Sequence, residues 1–202
     1  MVPLSHLEVT GVILAGGRAR RMGGRDKGLI PLAGKPMVSH AIEALAPQVG
    51  QVIINANRHL EDYRRWNHDV VEDDSTIGDF CGPLAGVLAA MEHSDRPWLL
   101  TVPCDSPLLA GDYAQRMIQG LTAAQGVIAV ASSGERLQPV FALLQRALAA
   151  DLRRYLVTGG RKIDQWFAEH RAATVDFSDR PEMFRNVNTP EDLQALEGEL
   201  GV

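Results

Sequence analysis

Apolar residues along this chain fall into short unbroken runs, and between the runs apolar and polar positions recur at helical spacing. Unbroken runs of this length read as strands buried on both faces, and the intervening stretches as amphipathic helices. The runs Val12–Ala15, Val52–Ile54, Val70–Val71 and Trp98–Val102 predict four strands, and Gly126–Ala131, Gln138–Leu144 and Thr174–Phe177 three later ones. Helices are predicted over Pro36–Ala46, Leu60–Trp66, Gly82–His93, Gly111–Thr122, Arg146–Tyr155 and Lys162–Glu169. The last helix has the clearest start: Thr189 as N-cap, Pro190 at the first helical position and Asp192 three residues after the cap. Strands alternating with helices predict the α/β class, a mostly parallel central sheet covered by helices on both faces.

Composition narrows this picture. A chain of 202 residues, 46% of them hydrophobic, suits one domain spanning 1–202 with a sizeable core. The net charge of -5 argues against a broad nucleic-acid footprint. Met1–Thr10 lacks the charged and apolar regions of a secretory signal, and no apolar run approaches the ~18 residues of a membrane span. The two cysteines, Cys81 and Cys104, have neither metal-type spacing nor a disulfide framework, so the expected home is the reducing cytoplasm.

In open parallel sheets ligands bind outside the carboxyl ends of the strands, so the residues ending each run are the candidates for chemistry. The first run leads into Gly16-Gly17-Arg18-Ala19-Arg20-Arg21-Met22-Gly23-Gly24-Arg25-Asp26-Lys27-Gly28. Glycines admit close approach of backbone N–H groups to an anion, and five cations (Arg18, Arg20, Arg21, Arg25, Lys27) in ten positions suit triphosphate oxygens. A flexible turn with solvated arginines is the ordinary alternative, and the position directly after a buried strand weighs against it. The loop is neither a P-loop nor a G-x-G-x-x-G dinucleotide fingerprint. The second strand ends at Asn55-Ala56-Asn57-Arg58, where an amide offers donor and acceptor to a base or ribose or else closes an Asx turn. The third ends at Glu72-Asp73-Asp74, an acid pair suited to a ribose hydroxyl, a metal or a helix cap. The fourth ends at Pro103-Cys104-Asp105, where one carboxylate beside a phosphate loop suits a divalent cation.

The stretches Leu14–Gly17, Arg20–Gly24, Asp26–Gly28, Gly34–Pro36, Asn55–Arg58, Gly82–Gly86, Pro103–Asp105 and Asn186–Asp192 resemble, in order, the signature of the molybdenum cofactor guanylyltransferases. The resemblance runs from about Gly11 to Leu196. It implies a single Rossmann-like nucleotidyltransferase domain that transfers GMP from GTP to the terminal phosphate of molybdopterin, with Mg²⁺, releasing pyrophosphate. By the same resemblance Leu14, Ala15, Gly16 and Gly17 line the nucleotide, and Lys27 binds phosphates. Asn55 and Asp73, or its neighbour Asp74, hold guanosine, and Asp105 carries Mg²⁺. Arg21, Gly24 and Asp26 belong to the sensitive loop, while Asn186 and Asn188 face molybdopterin. The stretch of about 10–110 is then the GTP and Mg²⁺ part and about 111–202 the molybdopterin part. Other cofactor-assembly proteins and molybdoenzyme chaperones are the implied protein partners, with no nucleic acid and no membrane.

The implied nucleophile, a phosphate monoester, is ionised at neutral pH, so no general base is required. Charge neutralisation by Arg21, Lys27 and a cation on Asp105 is the chemistry the reaction needs. A cytidylyltransferase acting on the same cofactor is the nearest alternative, but Leu14–Gly17 and Gly82–Gly86 resemble the guanine-type segments. A sugar-1-phosphate nucleotidyltransferase would share the opening loop but not Asn186–Asp192. A non-catalytic GTP-binding regulator lacks the P-loop lysine followed by Ser or Thr.

Overall fold

The structure, a computed structural model, describes residues 4–17, 26–78 and 82–201. Seven strands form the main sheet: β1 Val9–Leu14, β4 Gln51–Asn55, β5 Asp69–Val71, β6 Trp98–Pro103, β7 Ile128–Ser133, β8 Arg136–Gln145 and β9 Ala173–Asp176. Two short strands, β2 Pro31–Leu32 and β3 Lys35–Pro36, make a separate hairpin. The helices are α1 Met37–Leu45, α2 Leu60–Arg64, α3 Pro83–His93, α4 Tyr113–Ala124, α5 Ala149–Val157, α6 Ile163–Glu169 and α7 Pro190–Leu200.

The strand order is β5-β4-β1-β6-β8-β7-β9, parallel everywhere except at β8, which runs against both its neighbours. The expected mostly parallel sheet is present. The reversed strand follows from chain length: only Gly134 and Glu135 separate β7 from β8, whereas a parallel return needs a crossover of a dozen residues. Gly134 takes φ +60, the left-handed conformation such a tight turn demands.

Side chains alternate across the sheet and feed two cores. Val9, Ile13, Ile54, Leu100, Ala129 and Leu143 pack with α1, α2 and α4 on one face. Val12, Ile53, Leu99, Val130 and Leu144 pack with α3, α5 and α6 on the other. Strands buried on both faces need near-continuous apolar runs, which is why the sequence reads that way. A third, smaller core joins Ile30, Leu32 and Met37 to Val187 and Leu196, so the β2–β3 hairpin anchors the chain before α7. Thr189 caps α7 in a reciprocal capping box with Asp192, as its sequence predicts.

Five helices start one to three residues later than expected, α3 at Pro83 and α6 at Ile163 among them. Pro36 is extended (φ -54, ψ 141) because it pairs with Pro31, so α1 begins at Met37. Arg146–Leu148 is a 3-10 turn, so α5 begins at Ala149. Asp112 occupies the N-cap position of α4 without a side-chain capping hydrogen bond, and the helix begins at Tyr113.

From β1 the chain moves outward to β4 and β5, then crosses back to β6 on the other side of β1. The reversal of direction at β1 and β6 opens a crevice at their carboxyl ends. Beyond Leu100 the β6–β8 pairing stops, and the register of β7 on β8 jumps from Val130–Ala142 to Ala131–Gln138. The buried Thr101 hydroxyl bridges this irregularity, donating to Val140 O (2.6 Å) and accepting from Ala142 N–H (3.2 Å).

Candidate active site

The parallel register puts the predicted strand ends side by side. Leu14 lies opposite Asn55 on one flank and Pro103 on the other. Past the strands, Ala15 N–H donates to Asn55 O (2.8 Å) and Cys104 N–H to Leu14 O (3.1 Å), so Ala15, Asn55 and Cys104 continue one rim. Gly16 sits where a Cβ would come within 2.8 Å of Asn57 Nδ2, while a Cβ on Gly17 meets nothing within 4 Å. The Gly17 carbonyl accepts from the Arg58 guanidinium at 3.1 Å.

On the β4–β5 side the acid pair divides. Asp73 Oδ1 accepts from Asn55 Nδ2 (2.9 Å) and Oδ2 from Asn57 Nδ2 (2.8 Å). Asp74 instead caps the turn Ser75–Ile77 through Thr76 and pairs with Arg153 at 2.9 Å. Hydrogen bonds from Thr76, with Arg153 behind them, hold the Asp74 carboxyl down at about 2. Asp73 therefore belongs with the strand-end amides, and Asp74 ties the loop to α5.

Gly86 explains why α3 begins Gly82-Pro83-Leu84-Ala85-Gly86. A Cβ there would stand 2.1 Å from Asn55 Oδ1 and 2.9 Å from Leu14 Cδ2. Glycine lets the helix close on the buried Asn55 side chain.

On the β6 side Lys27 joins three segments. Its ammonium donates to Asp105 Oδ2 at 2.7 Å and to Asn188 Oδ1 at 2.5 Å. The side chains of Lys27 and Asp105 are only 19% and 13% exposed, so water screens the pair less than an ordinary surface bridge. Val187 N–H donates to Asp105 O (2.9 Å) and Ser106 Oγ to Asn186 Oδ1 (2.5 Å), which fastens the segment before α7 to the loop after β6. Asn188 is held in turn by its N–H on Asp192 Oδ2 at 2.9 Å.

Asp26 is buried and works inward. Its Oδ1 accepts from the Tyr63 hydroxyl (2.5 Å) and from Gly28 N–H (3.2 Å), which sets the turn carrying Lys27. Burial first, with the hydrogen bond to the Asp26 carboxylate and its charge behind it, pushes the Tyr63 phenol far above its ordinary range, so it stays a neutral donor. Burial, followed by Asp105 and Asp26, likewise raises the Cys104 thiol.

Of the residues named from sequence, Leu14, Ala15, Gly16, Gly17, Asn55 and Asp73 lie along one side of the rim. Lys27, Asp105, Asn186 and Asn188 lie together on the other. Arg21 and Gly24, like Arg18, Arg20, Arg25 and Cys81, lie outside the described residues. Two of the six histidines are engaged away from this rim, His40 with Leu32 O at 2.9 Å and His93 with Asp69 at 3.2 Å. Sequence reading passed over Asn57, Ser106, Tyr63 and Gly86 as individual site residues. The repeated Asn in Asn55-Ala56-Asn57 was the available signal, because alternate residues leaving a strand end can address one neighbour.

Among the described residues no group of three His, Cys, Asp or Glu side chains converges into a metal cage. The donor set at Asp105 is one carboxylate beside the Lys27 ammonium. Mg²⁺ usually takes one or two carboxylates plus phosphate oxygens and water, so these residues fit a cation that arrives with a nucleotide. No described helix is long and apolar enough to cross a membrane.

Residues 11–174 match the family described as the MobA-like NTP transferase domain. A molybdenum cofactor guanylyltransferase of Shewanella halifaxensis is 49% identical over 189 residues, covering 94% of this chain and 94% of its own. One from Shewanella sp. (strain MR-4) is 48% identical over 194 residues, covering 96% of this chain and 98% of its own. The crystal structure of the molybdopterin-guanine dinucleotide biosynthesis protein A of Archaeoglobus fulgidus superposes with a TM-score of 0.76 at 21% identity. It covers 95% of this chain and 98% of its own, and shares the fold. The rim of glycines, amides and paired charges is thus set in the framework of an enzyme of known kind, and the chain belongs to the MobA-like NTP transferase family and, within it, to the molybdenum cofactor guanylyltransferases.

Proposed function

We propose that this enzyme transfers GMP from GTP to the phosphate of molybdopterin, using Mg²⁺ in the cytoplasm. The observation that carries the site assignment is the Lys27 ammonium held between Asp105 and Asn188, a cation fixed at the crevice where both polyanions must meet.

The guanosine end lies along Leu14–Gly17, with Asn55 and Asp73 at the base and ribose. Gly16 and Gly17 offer backbone without side chains in the way. Lys27 addresses the phosphates, and Asn186 and Asn188 face the acceptor. An oxygen of the acceptor phosphate attacks the α-phosphorus, and the bond from that phosphorus to the bridging oxygen of the leaving pyrophosphate breaks in line. The nucleophile is ionised at neutral pH, so no protein group need remove a proton. Repulsion between the two anions is the main barrier. Lys27, joined by Arg21, lowers it as a preplaced positive charge. Asp105 would hold Mg²⁺, which supplies further neutralisation at the phosphates. The buried, neutral Cys104 suits a reducing compartment.

Incubation with GTP, Mg²⁺ and molybdopterin, followed by mass analysis, should give the guanine dinucleotide and pyrophosphate. CTP in a parallel reaction should give little product, and equal turnover with CTP would establish the cytidylyltransferase reading instead. Asp105→Ala should abolish transfer with the fold intact. Near-normal turnover in that variant would remove Asp105 from the metal role.

A further inference from the structure

We propose that Asn57 is a positioning residue for nucleotide choice: with Asn55 it clamps Asp73 into an acceptor-only edge that selects guanine. The inference rests on the reading above that guanosine binds beside Asp73, and adds what makes that carboxylate selective.

The clamp is reciprocal. Asn57 Nδ2 donates to Asp73 Oδ2 at 2.8 Å, while Asn57 Oδ1 accepts the Asp73 backbone N–H at 2.8 Å. One amide thus grips both the side chain and the main chain of the same residue, and this fixes its own orientation. Asn55, buried, takes the other carboxylate oxygen at 2.9 Å and also donates to Val71 O at 3.3 Å. Gly16 leaves room for Asn57 and Gly86 for Asn55, since a Cβ on either would crowd the amide.

An ionised carboxylate accepts only, with about four lone-pair directions. Two amides occupy one on each oxygen and leave the others in a fixed plane. On its pairing edge guanine carries two adjacent donors, the ring N1–H and the exocyclic 2-amino group. Adenine, cytosine and uracil have no such adjacent pair there. A clamped carboxylate therefore matches guanine and leaves any other base with an unmet acceptor against it. Sites built on such polar matching reject analogues lacking the group far better than apolar pockets do.

Inosine triphosphate isolates this contact, because it differs from GTP only in lacking the 2-amino group. Binding of GTP and of ITP with Mg²⁺ would be measured calorimetrically for the wild type, Asn57→Ala and Asn57→Asp. Asn57→Asp keeps the acceptor for Asp73 N–H but replaces the donor with a second negative oxygen. The wild type should favour GTP by at least about tenfold, the size of one charge-assisted hydrogen bond. Both variants should weaken GTP about tenfold or more and bring the GTP-to-ITP ratio towards one, with Asn57→Asp the more severe. Their melting temperatures should stay within a few degrees of wild type, because the clamp lies at the exposed rim. If the wild type discriminates and both variants discriminate equally well, the clamp is not a positioning device. A wild type that binds GTP and ITP alike would remove the carboxylate from reading the base, whereas failure to bind GTP at all would sink the parent reading of the site.

Discussion

Replacing Gly86 by alanine sets two effects against each other. In a helix interior Ala is normally favoured over Gly by about 0.5–1 kcal/mol. Gly86 lies within α3, but its added Cβ would stand 2.1 Å from Asn55 Oδ1, 2.6 Å from Asn55 Cγ and 2.9 Å from Leu14 Cδ2. Overpacking of this kind costs about 1–3 kcal/mol. Asn55 can relieve it only by moving away from Val71 O and Asp73, and a buried amide left unpaired costs a further 1–3 kcal/mol or so. After the propensity gain the net loss is roughly 3 kcal/mol, a fall in Tm of about 6–12 °C for a chain of this size. Gly198 is the matched control: it lies on the exposed face of α7 with nothing within 4 Å of its Cβ. Gly198→Ala should raise Tm by about 1–2 °C, from roughly 0.5 kcal/mol of propensity near a helix end. Thermal melts by circular dichroism give both values, and a GTP titration of Gly86→Ala should show weakened binding, because Asn55 has moved. A Gly86→Ala variant as stable as Gly198→Ala, with GTP affinity intact, would show that α3 does not close on Asn55 as described.

Removing the Tyr63 hydroxyl in Tyr63→Phe strips one donor from the buried Asp26 and should cost about 1.5–3 kcal/mol in chemical denaturation, with reduced turnover as Lys27 loses its fixed turn. Val187→Ala opens the small core beneath α7 and should cost roughly 1.5–3 kcal/mol; turnover should fall more than the melt alone explains, since Asn186 and Asn188 flank the site. Asp74 has a folded pKa of about 2, below the ~3.9 of an unfolded Asp, so its contribution is complete above pH ~4 and is lost as pH falls through 2. Acid titrations of wild type and Asp74→Asn should accordingly converge below pH ~2; curves that stay parallel across that window would contradict the Thr76 and Arg153 assignment. The buried Cys104 should resist iodoacetamide at pH 8 in the native protein and label fully in denaturant, as read by peptide mass analysis.

Much of the architecture was legible because parallel strands buried on both faces must be nearly all apolar, so each run announced a strand and its last residue a rim position. Leu14, Asn55 and Asp105 came to the same edge for that reason alone. The α7 start was legible because capping is local. Contacts between distant residues were not. Asp26 reads as part of an anion loop, yet its partner is a tyrosine 37 residues away; Lys27 reads as a free phosphate ligand, yet it reaches an asparagine 161 residues away. Neither pairing has a periodic signature. The split between Asp73 and Asp74 depended on which side of a turn each side chain leaves, and a 3-10 turn set by Thr76 decided it. The reversed β8 was hidden in its composition, since a buried strand looks the same in either direction, and only the brevity of the preceding turn pointed to it.

The Lys27 arrangement bears on how the site can be ready before its substrate arrives. A lysine ammonium has three N–H donors, and among the described residues Lys27 spends two, on Asp105 and Asn188. On the proposed function the third is left for a phosphate oxygen, so that an incoming triphosphate would engage the cation without breaking either contact. Ordering a free lysine side chain costs about 1.5–2 kcal/mol, and here the fold has already met that cost. Neighbouring carboxylate and amide also hold the ammonium largely out of water without leaving it unpaired, where its field acts through a lower effective dielectric. An exposed lysine at the same point would be screened and mobile, while one buried alone would tend to lose its proton. On the proposed function, the segment from Asn186 to Asn188, anchored through Val187, would serve the phosphates as well as the acceptor, because Asn188 holds the lysine while Val187 packs beneath α7 and bonds the Asp105 carbonyl.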